Sequence, residues 1–301
     1  MLIKRSFLIL ITCLVLAACQ AAPQPSPNES TPGVDFTVLG LETFLVDMAQ
    51  NVAGERVRVE PLLPLGLDPH TYEPTPRDLV RIAESQVLII NGAGFEEWLE
   101  ELLDNTGGQG QVIEAAEGLT ESSDRPADPH FWLDPISAIT YVENIRDGLS
   151  AIDPQGQQVY HRNAEAYIEE LKALDAWIAD QVEQLPAERR ILVTNHESFG
   201  YYADRYGFSI IGTVIPSIST GSSPSARQLI RLVDEIEKSN APAIFLESGA
   251  NPQLADQVAL ETGVKVIGDL YTHSISLPDG DAPSYIAMMK YNTRTIVEAL
   301  K

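Results

Sequence analysis

The chain has 301 residues, of which 44% are hydrophobic, enough to bury the cores of two domains of ordinary size. Its 43 acidic residues outnumber its 20 lysines and arginines, which gives a net charge of −23 at pH 7. Such an excess of negative charge argues against binding to nucleic acid and against electrostatic attachment to anionic lipid.

The first 18 residues have the pattern of a lipoprotein signal peptide. Lys4 and Arg5 precede the apolar run Phe7 to Leu16, which is too short to span a membrane comfortably. The sequence Leu-Ala-Ala-Cys that ends at Cys19 resembles a lipobox, although a plain secretory peptide would share most of these features. We therefore predict that residues 1–18 are removed and that Cys19 is lipidated. Removal would also eliminate Cys13, so the mature chain could form no internal disulfide.

Residues 19–33 are small, polar and rich in proline, which is typical of an extended tether. Together with a lipid anchor, this segment predicts an extracytoplasmic domain held at the cell membrane, a periplasmic location in the broad sense. More than one lipid chain is needed for stable anchoring.

The first half of the remaining chain alternates short β-rich runs with helical patterns. The spacing predicts strands at 34–39, 56–63, 87–90 and 112–113. It predicts helices at 41–52, 78–84, 95–103 and from Asp134 to about Leu149, with Pro76 and Pro135 in first-turn positions.

The middle of the chain differs from both halves. From Pro154 to Leu185 there is no glycine or proline after Gly156, and apolar residues recur every three or four positions. This pattern predicts one rigid helix, which would make a stiff joint rather than a flexible hinge. His161 lies in this helix, where a histidine is usually packed or solvated rather than a ligand.

The second half repeats the alternation of strands and helices. Strands are predicted at 191–194, 210–215, 243–247 and 264–267, and helices at 199–206, 225–239, 252–262 and 282–300. The fold class is therefore α/β, with two lobes that each contain a parallel four-stranded sheet flanked by helices and that one long helix bridges. We predict an N-terminal lobe at 34–153, a linking helix at 154–186 and a C-terminal lobe at 187–301.

Four of the five histidines lie in turn-rich segments after predicted strands. They are His70, His130, His196 and His273, two from each half of the chain. Each could be an ordinary turn residue, but ligands of open α/β sheets bind beyond the carboxyl ends of the strands, where all four would meet. Imidazole is a common metal ligand because it binds without adding charge. The sequence therefore predicts one metal ion between the lobes.

The motifs around these histidines resemble the ZnuA/TroA-like (cluster A-I) family of zinc- and manganese-binding lipoproteins of bacterial ABC importers. The resemblance lies in Gly66 to Leu79, Asn91 to Trp98, Asp128 to Pro135, Thr194 to Phe208 and Tyr271 to Leu300. It implies two α/β lobes bridged by a long helix, with His70, His130 and His196 as metal ligands. The family usually has a carboxylate where this chain has His273. Either His273 is the fourth ligand, which we favour, or Asp269 or a water completes the site.

A set of imidazoles favours zinc over manganese, because carboxylate-rich sites suit manganese and magnesium. Copper and nickel would also bind imidazoles by intrinsic affinity. Zn²⁺ is thus the predicted cargo, and Mn²⁺ the second choice.

Several neighbouring residues are candidates for orienting the imidazoles through their second ring nitrogens. They are Asp68, Glu73, Asp128, Glu197 and Glu247, although Glu247 could instead pair with Arg227. Aromatic residues near the motifs are expected to form a dry wall around the metal; they are Phe131, Trp132, Phe199 and Tyr201.

The predicted function is delivery of a metal ion to an ABC permease with its ATPase, by a monomer that is not an enzyme. A closed set of four ligands supports transport, since catalytic zinc keeps a position open for water. The alternatives are a manganese-specific protein of the same class, a surface adhesin, and a zinc hydrolase with three ligands and Glu197 as base. The hydrolase requires His273 to point away from the other three.

Overall fold

Eight short parallel strands form two sheets in this computed structural model, which describes residues 36–96, 98–99, 110–120 and 127–301. The first sheet contains β1 (Val38–Gly40), β2 (Val59–Pro61), β3 (Val87–Ile90) and β4 (Gln111–Glu114) in the order β2-β1-β3-β4. The second contains β5 (Ile191–Thr194), β6 (Ser209–Thr213), β7 (Ala243–Glu247) and β8 (Lys265–Leu270) in the order β6-β5-β7-β8. The two halves of the chain thus share one topology.

Eight α-helices connect and flank these strands within the described ranges. In the first half they are α1 (Thr43–Ala53), α2 (Pro76–Glu84) and α3 (Ser137–Ile152). The long helix is α4 (Gln157–Val182). The second half contains α5 (Gly200–Tyr206), α6 (Ala226–Ser239), α7 (Gln253–Thr262) and α8 (Tyr285–Leu300). The predicted fold class, two parallel four-stranded sheets flanked by helices and bridged by a long helix, is confirmed.

The long helix α4 is held by one apolar face rather than left as a free rod. Its buried residues recur at three- and four-residue steps and are Tyr160, Ala164, Tyr167, Leu171, Leu174, Ile178 and Val182. This face packs against α1 and α3 from the first half of the chain and against α8 from the second half. With 26 residues, the helix is about 39 Å long at 1.5 Å per residue. Its packing supports the prediction of a stiff joint.

Several element boundaries differ from the predicted ones for local reasons. The helix expected from Asp134 begins at Ser137, and the Asp134 carboxylate caps the turn before it by accepting a hydrogen bond from the amide of Ile136 (2.9 Å). Strand β8 continues to Leu270 rather than ending at Ile267. Two 3₁₀ turns, Pro69–Thr71 and Phe131–Leu133, were not predicted at all.

Some predictions concern parts of the chain that the structure does not describe. The signal peptide, the tether and Cys19 lie outside the described residues, as does most of the helix predicted at 95–103. The predicted division at residues 153 and 186 stays a prediction. Among the described residues, every helix is too short or too polar to cross a bilayer.

Candidate metal centre

The imidazoles of His70, His130, His196 and His273 come together between the two sheets. The Nε2 atom of His130 lies 3.3 Å from that of His70, 3.2 Å from that of His196 and 3.4 Å from that of His273. All four donor nitrogens lie within 4.8 Å of one another. The structure therefore brings together the four histidines that the sequence singled out, and two come from each half of the chain.

The two histidines of the first half are positioned by the unpredicted 3₁₀ turns. His70 lies within the turn that Pro69 begins, and its amide donates to the carboxylate of Asp68 (3.0 Å). His130 immediately precedes the second turn, and its amide donates to the carboxylate of Asp128 (3.1 Å). In both segments an Asp-Pro-His sequence lets the aspartate fix the backbone of the histidine two residues later.

The two histidines of the second half follow parallel strands directly. His196 lies two residues beyond the end of β5, and the Thr194 hydroxyl donates to its carbonyl (2.9 Å). His273 lies three residues beyond the end of β8. The indole N–H of Trp132 donates to the carbonyl of Thr272 (2.7 Å), which joins the loop of His130 to the loop of His273.

Two buried carboxylates orient three of the imidazoles. Asp128 accepts a hydrogen bond from Nδ1 of His130 (2.8 Å). Glu247, at the end of β7, has one oxygen 2.5 Å from Nδ1 of His196 and the other 3.3 Å from Nδ1 of His273. When a carboxylate accepts from Nδ1–H, the lone pair of the imidazole is on Nε2. These contacts therefore direct the free lone pairs towards the common centre.

The protonation of the cluster follows from burial and from Glu247. Burial, followed by repulsion from His273 and His196, lowers the pKa of His70 to about 2. Burial and the other imidazoles also lower the pKa of His130 well below its usual value. Burial opposes a charge on His196 as well, but the Glu247 carboxylate outweighs it and raises the pKa of His196. His70 and His130 are therefore neutral at pH 7, and His196 is the imidazole that holds a proton most tightly among these three.

Aromatic rings enclose the centre. Phe95 lies edge-on to His70, with ring centroids 4.8 Å apart, and stacks parallel to His273 at 5.8 Å. The Trp132 ring lies 5.1 Å from that of His130 and is itself stacked on Phe44. Trp132 lies beside the cluster as expected of the aromatic wall, whereas Phe95 was not predicted to belong to it. Phe131 and Tyr201 instead stack on each other, and Phe199 is buried.

His70 is the most accessible of the four histidines. It lines a cavity of about 740 Å³ together with Glu73 and Glu197, both of which are exposed. His130, His196 and His273 are 0%, 0% and 8% exposed. Glu73 and Glu197 were candidates for orienting an imidazole, and the structure places them at the cavity wall instead.

Two residues that the sequence analysis considered, Asp269 and His161, lie away from the cluster. Asp269 is an exposed residue of β8 with a left-handed backbone (φ 67°) and is not part of the cluster. His161 lies on α4, also outside the cluster.

Glu247 contacts the imidazoles, so the alternative pairing with Arg227 was wrong. The Thr272 hydroxyl, 3.0 Å from Nδ1 of His273, was missed because a threonine in a turn carries no signal of its role.

Comparison with known proteins places this geometry in a family. The sequence model of the family described as zinc-uptake complex component A, periplasmic (ZnuA), matches residues 42–299 of this chain. The chain belongs to the ZnuA family. The predicted family resemblance is confirmed.

The relatives of this ZnuA-family chain are named for different metals. It is 36% identical to the manganese-binding lipoprotein MntA of Halalkalibacterium halodurans, over 98% of this chain and 97% of that protein. It is 34% identical to the iron-binding protein YfeA of Yersinia pestis, over 90% and 88%. Among solved structures, the periplasmic zinc-binding protein TroA of Treponema pallidum matches with a TM-score of 0.83 and 27% identity, over 88% of this chain and 99% of that one.

The ZnuA family consists of metal-binding proteins of transport systems rather than of enzymes, which confirms that the chain is not an enzyme. The zinc hydrolase alternative was therefore wrong. Its structural requirement also fails, since the imidazole of His273 points towards the other three and not away from them.

Proposed function

We propose that this protein binds Zn²⁺ through His70, His130, His196 and His273 and delivers it to an ABC permease at the outer face of the cytoplasmic membrane. The observation that carries the proposal is the spacing of the Nε2 atoms around His130, which is 3.2–3.4 Å. In a tetrahedral site with Zn–N bonds of about 2.0–2.1 Å, adjacent nitrogens lie about 3.3–3.4 Å apart. The three separations agree with this geometry.

The ligand type supports zinc among the metals for which relatives are named. Four neutral imidazoles suit zinc, whereas manganese is usually bound through carboxylates and water. Glu247 and Asp128 each contribute one negative charge beside the ligands, and together they balance the two positive charges of a bound Zn²⁺. The ion is the cargo, so a site in which the protein supplies all four ligands fits transport better than catalysis.

Manganese is the second candidate, because the relative that is 36% identical is named for it. The two candidates differ in what they require of the fourth position. A manganese site favours a carboxylate there, and this chain has His273. His273→Asp is therefore the informative change.

The experiment combines metal analysis with titration. Protein purified without added metal is analysed for its elements, and zinc and manganese affinities are then measured by competition with a chelator. We expect zinc in the purified protein, and a zinc affinity that His273→Asp lowers while it raises the affinity for manganese. His161→Ala, which removes a histidine outside the cluster, is the matched control and should change neither affinity. Manganese binding at least as tight as zinc binding in the wild type would overturn the choice of zinc.

A further inference from the structure

Two buried carboxyl groups lie outside the metal centre, at the carboxyl edge of the first sheet. Glu42 follows β1 and precedes α1, and Glu96 lies in the loop after the neighbouring strand β3. They are 1% and 4% exposed. Carboxylates are almost never buried to this extent unless they are paired, and neither the metal centre nor the aromatic wall uses them.

The two carboxyl groups have unequal hydrogen-bonding partners. Glu96 accepts from the backbone amides of Asn91 (2.6 Å) and Gly92 (3.0 Å). Within the described residues, neither oxygen of Glu42 accepts a hydrogen bond from another residue. The Glu42 carboxyl is close enough to that of Glu96 for the two groups to repel each other when both are charged. Glu96 therefore has the donors that a charged carboxylate needs, and Glu42 does not.

The surroundings of the pair add negative rather than positive charge. Glu114, at the end of β4, acts on Glu96, and the hydroxyl of Tyr141 from α3 approaches the pair but donates to Asn91 Oδ1 (2.5 Å). Burial, together with repulsion from Glu96, raises the pKa of Glu42 well above its usual value, and burial raises that of Glu96 to about 7.

We propose that Glu42 is protonated at neutral pH and donates a hydrogen bond to the Glu96 carboxylate. The shared proton would stabilise the contact between the two sheets, and this stabilisation would depend on pH. Two adjacent buried anions would repel each other in a medium that screens charge poorly. One proton removes this repulsion. It also lets Glu42 donate a hydrogen bond to Glu96, which is the only hydrogen bond available to its carboxyl group among the contacts described above. Loss of the proton to water would force the two carboxyl groups apart.

The neighbours of the pair connect it to the second sheet. Thr43, next to Glu42, accepts a hydrogen bond from the amide of Ile275 (3.0 Å) and lies 3.2 Å from the hydroxyl of Ser274. Phe95, next to Glu96, packs against His70 and His273. A displacement of either carboxyl group would therefore displace a neighbouring residue that contacts the loop after β8. For this reason the proton would affect the contact between the two sheets and not only the first sheet.

The first test detects the proton directly, in metal-free protein. Infrared spectroscopy separates the C=O stretch of a protonated carboxyl from the carboxylate bands. We expect the wild type at pH 7 to show a protonated carboxyl band that Glu42→Gln removes. Glu55→Gln, which deletes an exposed acid, is the matched control and should leave the band in place. A wild-type spectrum without this band would overturn the proposal.

The second test measures how stability depends on pH, again without metal. A raised pKa means that the folded chain keeps a proton which the unfolded chain has lost, so stability falls as pH rises from about 4.3 through the folded pKa. Each such proton changes the folding constant by up to about tenfold per pH unit. We expect the melting temperature of the wild type to fall more steeply between about pH 5 and pH 8 than that of Glu42→Gln. Parallel curves for the two proteins would contradict the shared proton.

The two carboxyl groups should also respond differently to the same substitution. Glu42→Gln keeps an N–H donor for Glu96 and removes the titration, so it should raise the melting temperature at pH 8. Glu96→Gln replaces the charged carboxylate that accepts hydrogen bonds from the amides of Asn91 and Gly92. It should therefore lower the melting temperature at every pH. If Glu96→Gln were the stabilising change instead, the assignment of the proton to Glu42 would be wrong.

Discussion

At the scale of the single residue, Glu247 sets the chemistry of the centre. Its two oxygens lie beside Nδ1 of His196 and Nδ1 of His273, so one carboxylate fixes the orientation of two imidazoles from different loops. It also raises the pKa of His196 although burial opposes it, whereas the pKa values of His70 and His130 are lowered. Among His70, His130 and His196, protons therefore compete with the metal mainly at His196.

This difference predicts how acid releases the metal. As pH falls through the raised pKa of His196, that ring must lose its proton before it can bind, so metal affinity should fall by about tenfold per pH unit. His70 and His130 would add to the loss only at much lower pH. Zinc affinities measured by competition between pH 8 and pH 5, plotted against pH, check this slope. An affinity that stays constant over the range would contradict the involvement of His196.

Removing the charge of Glu247 should have two separable effects. In Glu247→Gln the pKa of His196 is no longer raised by a carboxylate, so the acid release of zinc should shift to lower pH. The imidazoles also lose their orienting partner, which typically costs about 10–100-fold in metal affinity. The affinity at pH 8 and the midpoint of acid release report the two effects. Glu197→Gln, which changes an exposed acid at the cavity wall, should leave both unchanged.

At the scale of the secondary-structure element, a buried ion pair fixes the start of the long helix α4. The Arg56 guanidinium donates to both oxygens of Asp153, with Nη2 2.8 Å from Oδ1, and the Tyr160 hydroxyl donates to the same carboxylate (2.7 Å). The side chains of Arg56 and Asp153 are 4% and 6% exposed. This pair joins the segment after α1 to the turn between α3 and α4. The turn sets the direction in which the long helix begins.

We predict that Asp153→Asn destabilises the protein by about 3–5 kcal/mol, because it leaves a buried guanidinium without its counter-charge. Hydrogen bonds from Arg56 lower the pKa of Asp153 to about 2, so its contribution is complete at neutral pH and is lost as pH falls from about 4 to 2. Denaturant unfolding of the two proteins at pH 7 measures the difference. Asp147→Asn breaks a pair with Arg146 in which the carboxylate is exposed, and it should cost less than about 1 kcal/mol. Equal losses in the two variants would show that burial of the pair is not what matters.

At the scale of the whole molecule, the long helix and the direct contacts between the halves favour a joint that moves little. The helix α4 packs along its buried face on elements from both halves. The hydrogen bond from Trp132 to Thr272 joins two loops that carry ligands, and the hydroxyl of Tyr285, at the start of α8, donates to the carbonyl of Trp132 (2.5 Å). A large closing motion would break these contacts, so release and uptake should involve local movement of loops.

This rigidity predicts stabilisation by metal without a large change of shape. Zinc at about a thousand times its dissociation constant should raise the free energy of unfolding by about 4 kcal/mol. The radius of gyration from small-angle X-ray scattering should be the same with and without zinc. A clear decrease on adding zinc would indicate a hinged closure and contradict the stiff joint.

The sequence by itself determined the class of fold and the four histidines. Alternation of β-rich and helical segments depends on local periodicity, and so does the apolar stripe of α4, so both can be read without coordinates. The histidines stood out because turn-rich segments after strands collect at one edge of a parallel sheet. These inferences use only the order of residues and the fixed geometry of helices and strands.

The tertiary structure alone decided which residues support the histidines. Glu247 lies 51 positions from His196 and Phe95 lies 25 positions from His70, and no local pattern relates such residues. The same holds for Glu42 and Glu96, which meet only because β1 and β3 are neighbours in the sheet. Hydrogen bonds and burial depend on distances in space, and the packing of the two sheets fixes those distances.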